Sequence, residues 1–130
     1  MRKSEIRMSN KMSNNESSKY DLEERTLNFA KKIRGFVKKL PRSMAVMEDS
    51  KQLVRSSGSV GANYIEAYES LGKKDFLLRL KTARKESKEA RYWLILTEPS
   101  VEGAAAKEDL VQEANELLRI LSSIIEKSRG

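Results

Sequence analysis

Residues 43–72 read SMAVMEDSKQLVRSSGSVGANYIEAYESLG, and the fold is decided by how this stretch is read. Ser43 stands where a helix needs an N-cap, with a hydroxyl that accepts from the unpaired amides of a first turn. Set out at about 100° per residue, Arg55, Ser59, Asn63, Glu66 and Ser70 share an arc of roughly 80°. The residues Met47, Leu53, Val54, Gly58, Val60, Gly61, Tyr64, Ile65, Tyr68 and Leu71 are apolar or small and cover roughly 220°. A surface helix needs an apolar face of only about 100°. This helix, run to about Ser70 with Gly72 as its stop, is therefore read as burying a second side. The excess points to a second interface with another chain; a central helix buried deeply in its own bundle is the alternative.

The run from Ser56 to Ala62 is rich in small residues, and each interior Gly costs about 1 kcal/mol relative to Ala. Ser57 and Gly61 would repay that cost by letting another helix approach closely; a helix break is the competing reading. Gly58, Gly61, Tyr64 and Tyr68 are assigned to close packing or to oligomer contacts. Arg55, Ser59, Asn63 and Glu66 are assigned to a structural polar network that holds helix register, in preference to a catalytic site.

Upstream, Leu22, Phe29, Ile33, Phe36, Val37 and Leu40 recur at helical spacing, and Pro41 ends that helix by disfavouring α conformation at the residue before it. Downstream, a third helix starts near Lys74 or Asp75 and stops before Pro99. The loop from Glu98 to Gly103 leads to a fourth helix from about Ala104 to Lys127, with Leu110, Ala114, Leu117, Leu121 and Ile124 on one stripe. Four helices with short connections predict an all-α, antiparallel up-down-up-down four-helix bundle over residues 20–130. Residues 1–19 are polar and basic and are expected to be a disordered tail, in which Met1, Met8 and Met12 are all candidate starts.

Composition narrows the function. The absence of Cys and His leaves no disulfide, thiolate, His-based triad or His-ligated metal, and there is no Gly-rich phosphate loop, so no cofactor is expected. An enzyme built on Glu66 and Glu89 would have neither a pocket motif nor a cofactor signal. No apolar run is long enough for a signal peptide or a membrane span, and a cytoplasmic location is expected, away from the membrane. A net charge of +7 points to an acidic partner. That charge lies on the tail, helix one and helix three. Lys31, Arg34 and Lys38 oppose the apolar stripe of helix one, and Lys81, Arg84, Lys85, Lys88 and Arg91 occupy roughly 120° of helix three, apart from Glu86 and Glu89. Such a stripe follows phosphates without reading sequence. Acids on helix four, Glu108, Asp109, Glu113 and Glu116, are the alternative, internal answer to it. Tyr92 and Trp93 sit in an apolar run and are assigned to packing rather than base stacking.

The run from Gln52 to Ala67, then Lys74-Asp75-Phe76, Ala83 to Ala90 and Tyr92-Trp93-Leu94, resembles the four-helix-bundle family named after intervening sequences in 23S ribosomal RNA genes. The usual family pattern has Gly where this chain has Ala67, and often a Gly-Ser step where it has Lys85-Glu86. The resemblance implies a non-catalytic homopentamer around a central pore. A related branch comprises the accessory proteins of diversity-generating retroelements, whose basic pentamers bind nucleic acid and a reverse transcriptase. The expectation is thus a homo-oligomeric protein that binds RNA or DNA through phosphates and serves as accessory to a reverse transcriptase. The alternative is a protein-interaction scaffold with no nucleic-acid role.

Overall fold

The computed structural model describes residues 14–129 and contains four α-helices, α1 (Asn14–Lys38), α2 (Met44–Tyr68), α3 (Lys73–Leu96) and α4 (Ala104–Arg129), with a 3₁₀ turn at Val101–Gly103 before α4. There is no strand among the described residues. Ser43 caps α2 as expected: it is extended (φ −160°, ψ 169°) and its hydroxyl accepts from the Val46 amide at 3.1 Å. Gly72 does a different job from the one its sequence position suggests. Tyr68 is the last residue of α2, and Gly72, with extended backbone (φ −151°, ψ 167°), is the N-cap of α3. Lys107 closes the other end of α3, its ammonium donating to the carbonyls of Ile95 at 3.0 Å and Thr97 at 2.7 Å. Such cations suit the negative end of a helix. Helix α1 begins at Asn14, inside the stretch read as a tail; residues 1–13 of that reading lie outside the described residues.

Each helix packs on its sequence neighbours, and α1 meets α4 along the thinnest of the four seams. Contacts run in opposite chain directions at each seam between chain neighbours, Thr97 with Lys107 and Lys73 with Arg129 for α3–α4, Arg55 with Glu89 and Asn63 with Arg79 for α2–α3, and Gly61 beside Thr26 and Gly58 beside Arg34 for α1–α2, so these neighbours run antiparallel. The core is built from Phe29, Ile33, Leu53, Val60, Tyr64, Leu80, Leu94, Leu117 and Leu121, all essentially inaccessible. On α4 the stripe ends on fully buried Ile125; Ile124 is half-buried, because the helix keeps the four-residue step from Leu121.

Most of the wide apolar arc of α2 is covered inside the bundle, while Met47, Ile65 and, beyond the helix end, Leu71 stay exposed. Its helix is unbroken, and α1 and α3 flank it on two sides, covering Ser56, Ser57, Gly61 and Ala67 as well as Leu53, Val60 and Tyr64. Gly61 shows how close the approach is. A Cβ there would lie 2.7 Å from Thr26 Oγ1 and 3.1 Å from Thr26 Cβ on α1. The four close-packing residues all face this chain's own helices. Gly58 lies opposite Arg34, Tyr64 is buried, and half-buried Tyr68 stacks edge-on against both Tyr64 and Phe76. Burial pushes the Tyr64 hydroxyl well above the usual phenol range. The bundle thus accounts for the small and central residues of that arc, and leaves Met47, Ile65 and Leu71 exposed.

Candidate nucleic-acid interface

Helix α3 turns Leu80, Ala83, Ser87, Ala90 and Leu94 inward, which sends Lys81, Lys85 and Lys88 to the opposite, solvent side. All three are exposed and make no hydrogen bond or ion pair with any described residue; half-buried Arg84 makes none either. Arg91 leans toward α4 and donates to Asn115 Oδ1 at 2.6 Å. The two acids of α3 are engaged elsewhere. Arg55 on α2 grips Glu86 with both terminal nitrogens, at 3.2 and 3.4 Å, and Glu89 at 2.6 Å. Its hydrogen bond holds the Glu89 carboxyl below the usual carboxylate range, and Trp93 Nε1 adds a second donor at 3.3 Å. In return, Glu89 and then Glu86 raise the Arg55 guanidinium.

The acids of α4 do not answer the α3 stripe. Glu113 forms a two-point pair with Arg25 of α1, at 2.7 and 2.8 Å, and that bond is what most raises the Arg25 guanidinium. Glu116 pairs with Arg119 one turn along its own helix. The α3 stripe thus keeps an uncompensated positive face. Wheel position alone could have added exposed Lys74 to it, and Tyr92, 58% exposed on the same outward side, stands against Trp93 edge-on.

The polar residues of α2 form a ladder rather than a closed network. Ser59 donates to the Arg55 carbonyl at 2.9 Å and Asn63 to the Ser59 carbonyl at 2.9 Å, while Glu66 is exposed and offers its carbonyl to Ser70. Register with α3 comes from Arg55 and from Arg79, which donates to Asn63 Oδ1 at 3.4 Å. None of these cross-helix partners could be read from one helix wheel.

Lys31, Arg34 and Lys38 are exposed on α1, on the side away from Phe29, Ile33 and Phe36. The stretch from Thr26 to Met47 contains Lys31, Lys32, Arg34, Lys38, Lys39 and Arg42 and no acid. Helices α1 and α3 are diagonal in the bundle, so their outward faces point in opposite directions. The structure gathers the helix-one basics together and the helix-three basics together, but it does not merge the two sets. Along the α1–α4 seam, Lys32, Lys39, Asp109 and Glu113 rim a groove of about 930 Å³ floored by Phe36, Leu40 and Leu110.

No described helix is long and apolar enough to cross a membrane. The model of the 23S rRNA-intervening sequence protein family matches residues 18–123. A solved structure from Bacteroides thetaiotaomicron, described as a protein of unknown function from the S23 ribosomal protein family, is 30% identical with a TM-score of 0.71, covering 83% of this chain and 97% of that one. No curated protein matches.

Proposed function

Since the chain belongs to the 23S rRNA-intervening sequence protein family, we propose that it is a non-catalytic, cytoplasmic, homo-oligomeric protein that binds RNA or DNA through phosphates. The observation that carries this reading is the α3 face on which Lys81, Arg84, Lys85 and Lys88 have no acidic partner among the described residues, while Glu86 and Glu89 are held by Arg55. Acids tied to Arg55 and solvated bases without an acidic partner leave a net positive surface that releases counterions from a phosphate backbone. Assembly as a homopentamer and service to a reverse transcriptase rest on the sequence resemblance alone. Light scattering at micromolar concentration is expected to give several chains per particle; a 14.8 kDa monomer would remove the oligomer from the proposal.

The interface is tested by charge reversal. Replacing Arg84 and Lys88 by Glu should weaken binding to unrelated RNA and DNA sequences alike, by roughly tenfold per charge at 0.1 M salt, and reduce the log–log salt slope by about one per charge. Helicity should not change, because neither side chain has a partner to lose. Undiminished binding would move the site off α3. Absence of binding at low salt would favour the scaffold reading, for which the exposed Tyr92, Ile95 and Leu96 at the end of α3 would be the contact surface.

A further inference from the structure

We propose that a single bundle carries two separate phosphate-binding faces, one on α1 and one on α3, and bridges two nucleic-acid duplexes. The inference rests on the phosphate-binding reading above and adds to it a stoichiometry and an activity, the holding of two segments side by side. On α1, Lys31 and Lys38 are exposed two turns apart with Arg34 between them, within a stretch free of acid. On α3, Lys81 and Lys88 repeat the same two-turn spacing around Lys85 and Arg84. Both sets point away from the core, and the two helices are diagonal. With neighbouring axes about 8–10 Å apart and side chains extending about 5 Å from each axis, the two faces stand about 20–25 Å apart on opposite sides.

A straight duplex lies against only one of these faces. DNA is stiff over about 150 base pairs, and a bend tight enough to wrap a body this narrow would cost far more than a few phosphate contacts return. Two duplexes, each with its own face, meet no such penalty. The bundle between them replaces the repulsion of two bare backbones with positive charge on both sides.

The test uses the full chain, two short duplex DNAs bearing donor and acceptor dyes, and duplex in excess over protein. The parent is expected to bring the dyes together, with energy transfer that falls as salt rises. Two variants separate the faces: Lys31→Glu with Lys38→Glu, and Lys81→Glu with Lys88→Glu. Each should still bind one duplex through its intact face, with that face's salt slope unchanged, and lose energy transfer by at least about tenfold. The corresponding Gln pairs should show the same loss more weakly, which guards against a charge-reversal artefact. Energy transfer that persists in either single-face variant would overturn the proposal, because repeats of one stripe in an oligomer would then be doing the bridging. Binding by the parent without energy transfer would overturn it while leaving the phosphate-binding reading intact. No binding at all would end both.

Discussion

Gly61→Leu is expected to destabilise the bundle by about 2–3 kcal/mol, a substantial part of the stability of a domain this size. The first added carbon already meets the Thr26 hydroxyl at 2.7 Å. Thr26 is buried, its hydroxyl bonded to the Glu23 carbonyl at 3.0 Å, and its branched Cβ at 3.1 Å cannot rotate out of the way. Helix α1 must move outward, and every pair along the α1–α2 seam loosens with it. Removing an interior glycine would by itself favour the helix by about 1 kcal/mol, so the expected loss is net of that gain. Gly58→Ala is the control. Nothing lies nearer to its new Cβ than Arg34 Nη2 at 3.8 Å, so it should stabilise by about 0.5–1 kcal/mol. Urea unfolding of the two variants should move in opposite directions. A Gly61→Leu protein as stable as the parent would refute the tight contact.

Arg55→Ala is expected to cost about 2 kcal/mol at neutral pH. Breaking a fully buried ion pair costs about 3–5 kcal/mol. The figure is discounted here because the Arg55 side chain is 48% exposed, although Glu86 beneath it is only 10% exposed and would be left without its counter-charge. The cost should depend on pH in a definite direction. Arg55 holds the Glu89 carboxyl below its ordinary value. A carboxyl depressed in the folded state stabilises the fold above its unfolded pKa of about 4.3, and that contribution is lost as pH falls through the folded value. Parent and variant should therefore differ most at neutral pH and converge as the pH falls from the unfolded value through the lowered folded one. A constant difference from neutral pH down to pH 3 would mean that Arg55 acts by packing alone.

What could be read in the sequence was local. The Ser43 cap, the end of helix one near Pro41 and the Leu110–Leu117–Leu121 stripe depend on groups a few residues apart, and the structure has them where they were expected. Gly72 could be placed at the turn, but whether it ends α2 or starts α3 depends on its backbone angles. The α2 arc was visible, but its occupant was not, since Thr26 and Gly61 touch across two helices. The same holds for the candidate site. Exposure of Lys81, Lys85 and Lys88 follows from helical spacing. The engagement of Glu86 and Glu89 by Arg55, and the opposed directions of the α1 and α3 stripes, depend on how the helices are arranged around the core.

That arrangement also has a kinetic side. The helices follow one another around the ring in chain order, so most tertiary contact joins consecutive helices and the mean loop to be closed is short, the topology of rapid folding. The exception is the α1–α4 seam, where Arg25 must find Glu113 across 88 residues of chain. The entropic cost of closure rises with that separation, and the thin packing there returns little of it. The hairpins α1–α2, α2–α3 and α3–α4 can each condense early, leaving this seam as the last to zip and the first to part in the native protein's slow breathing.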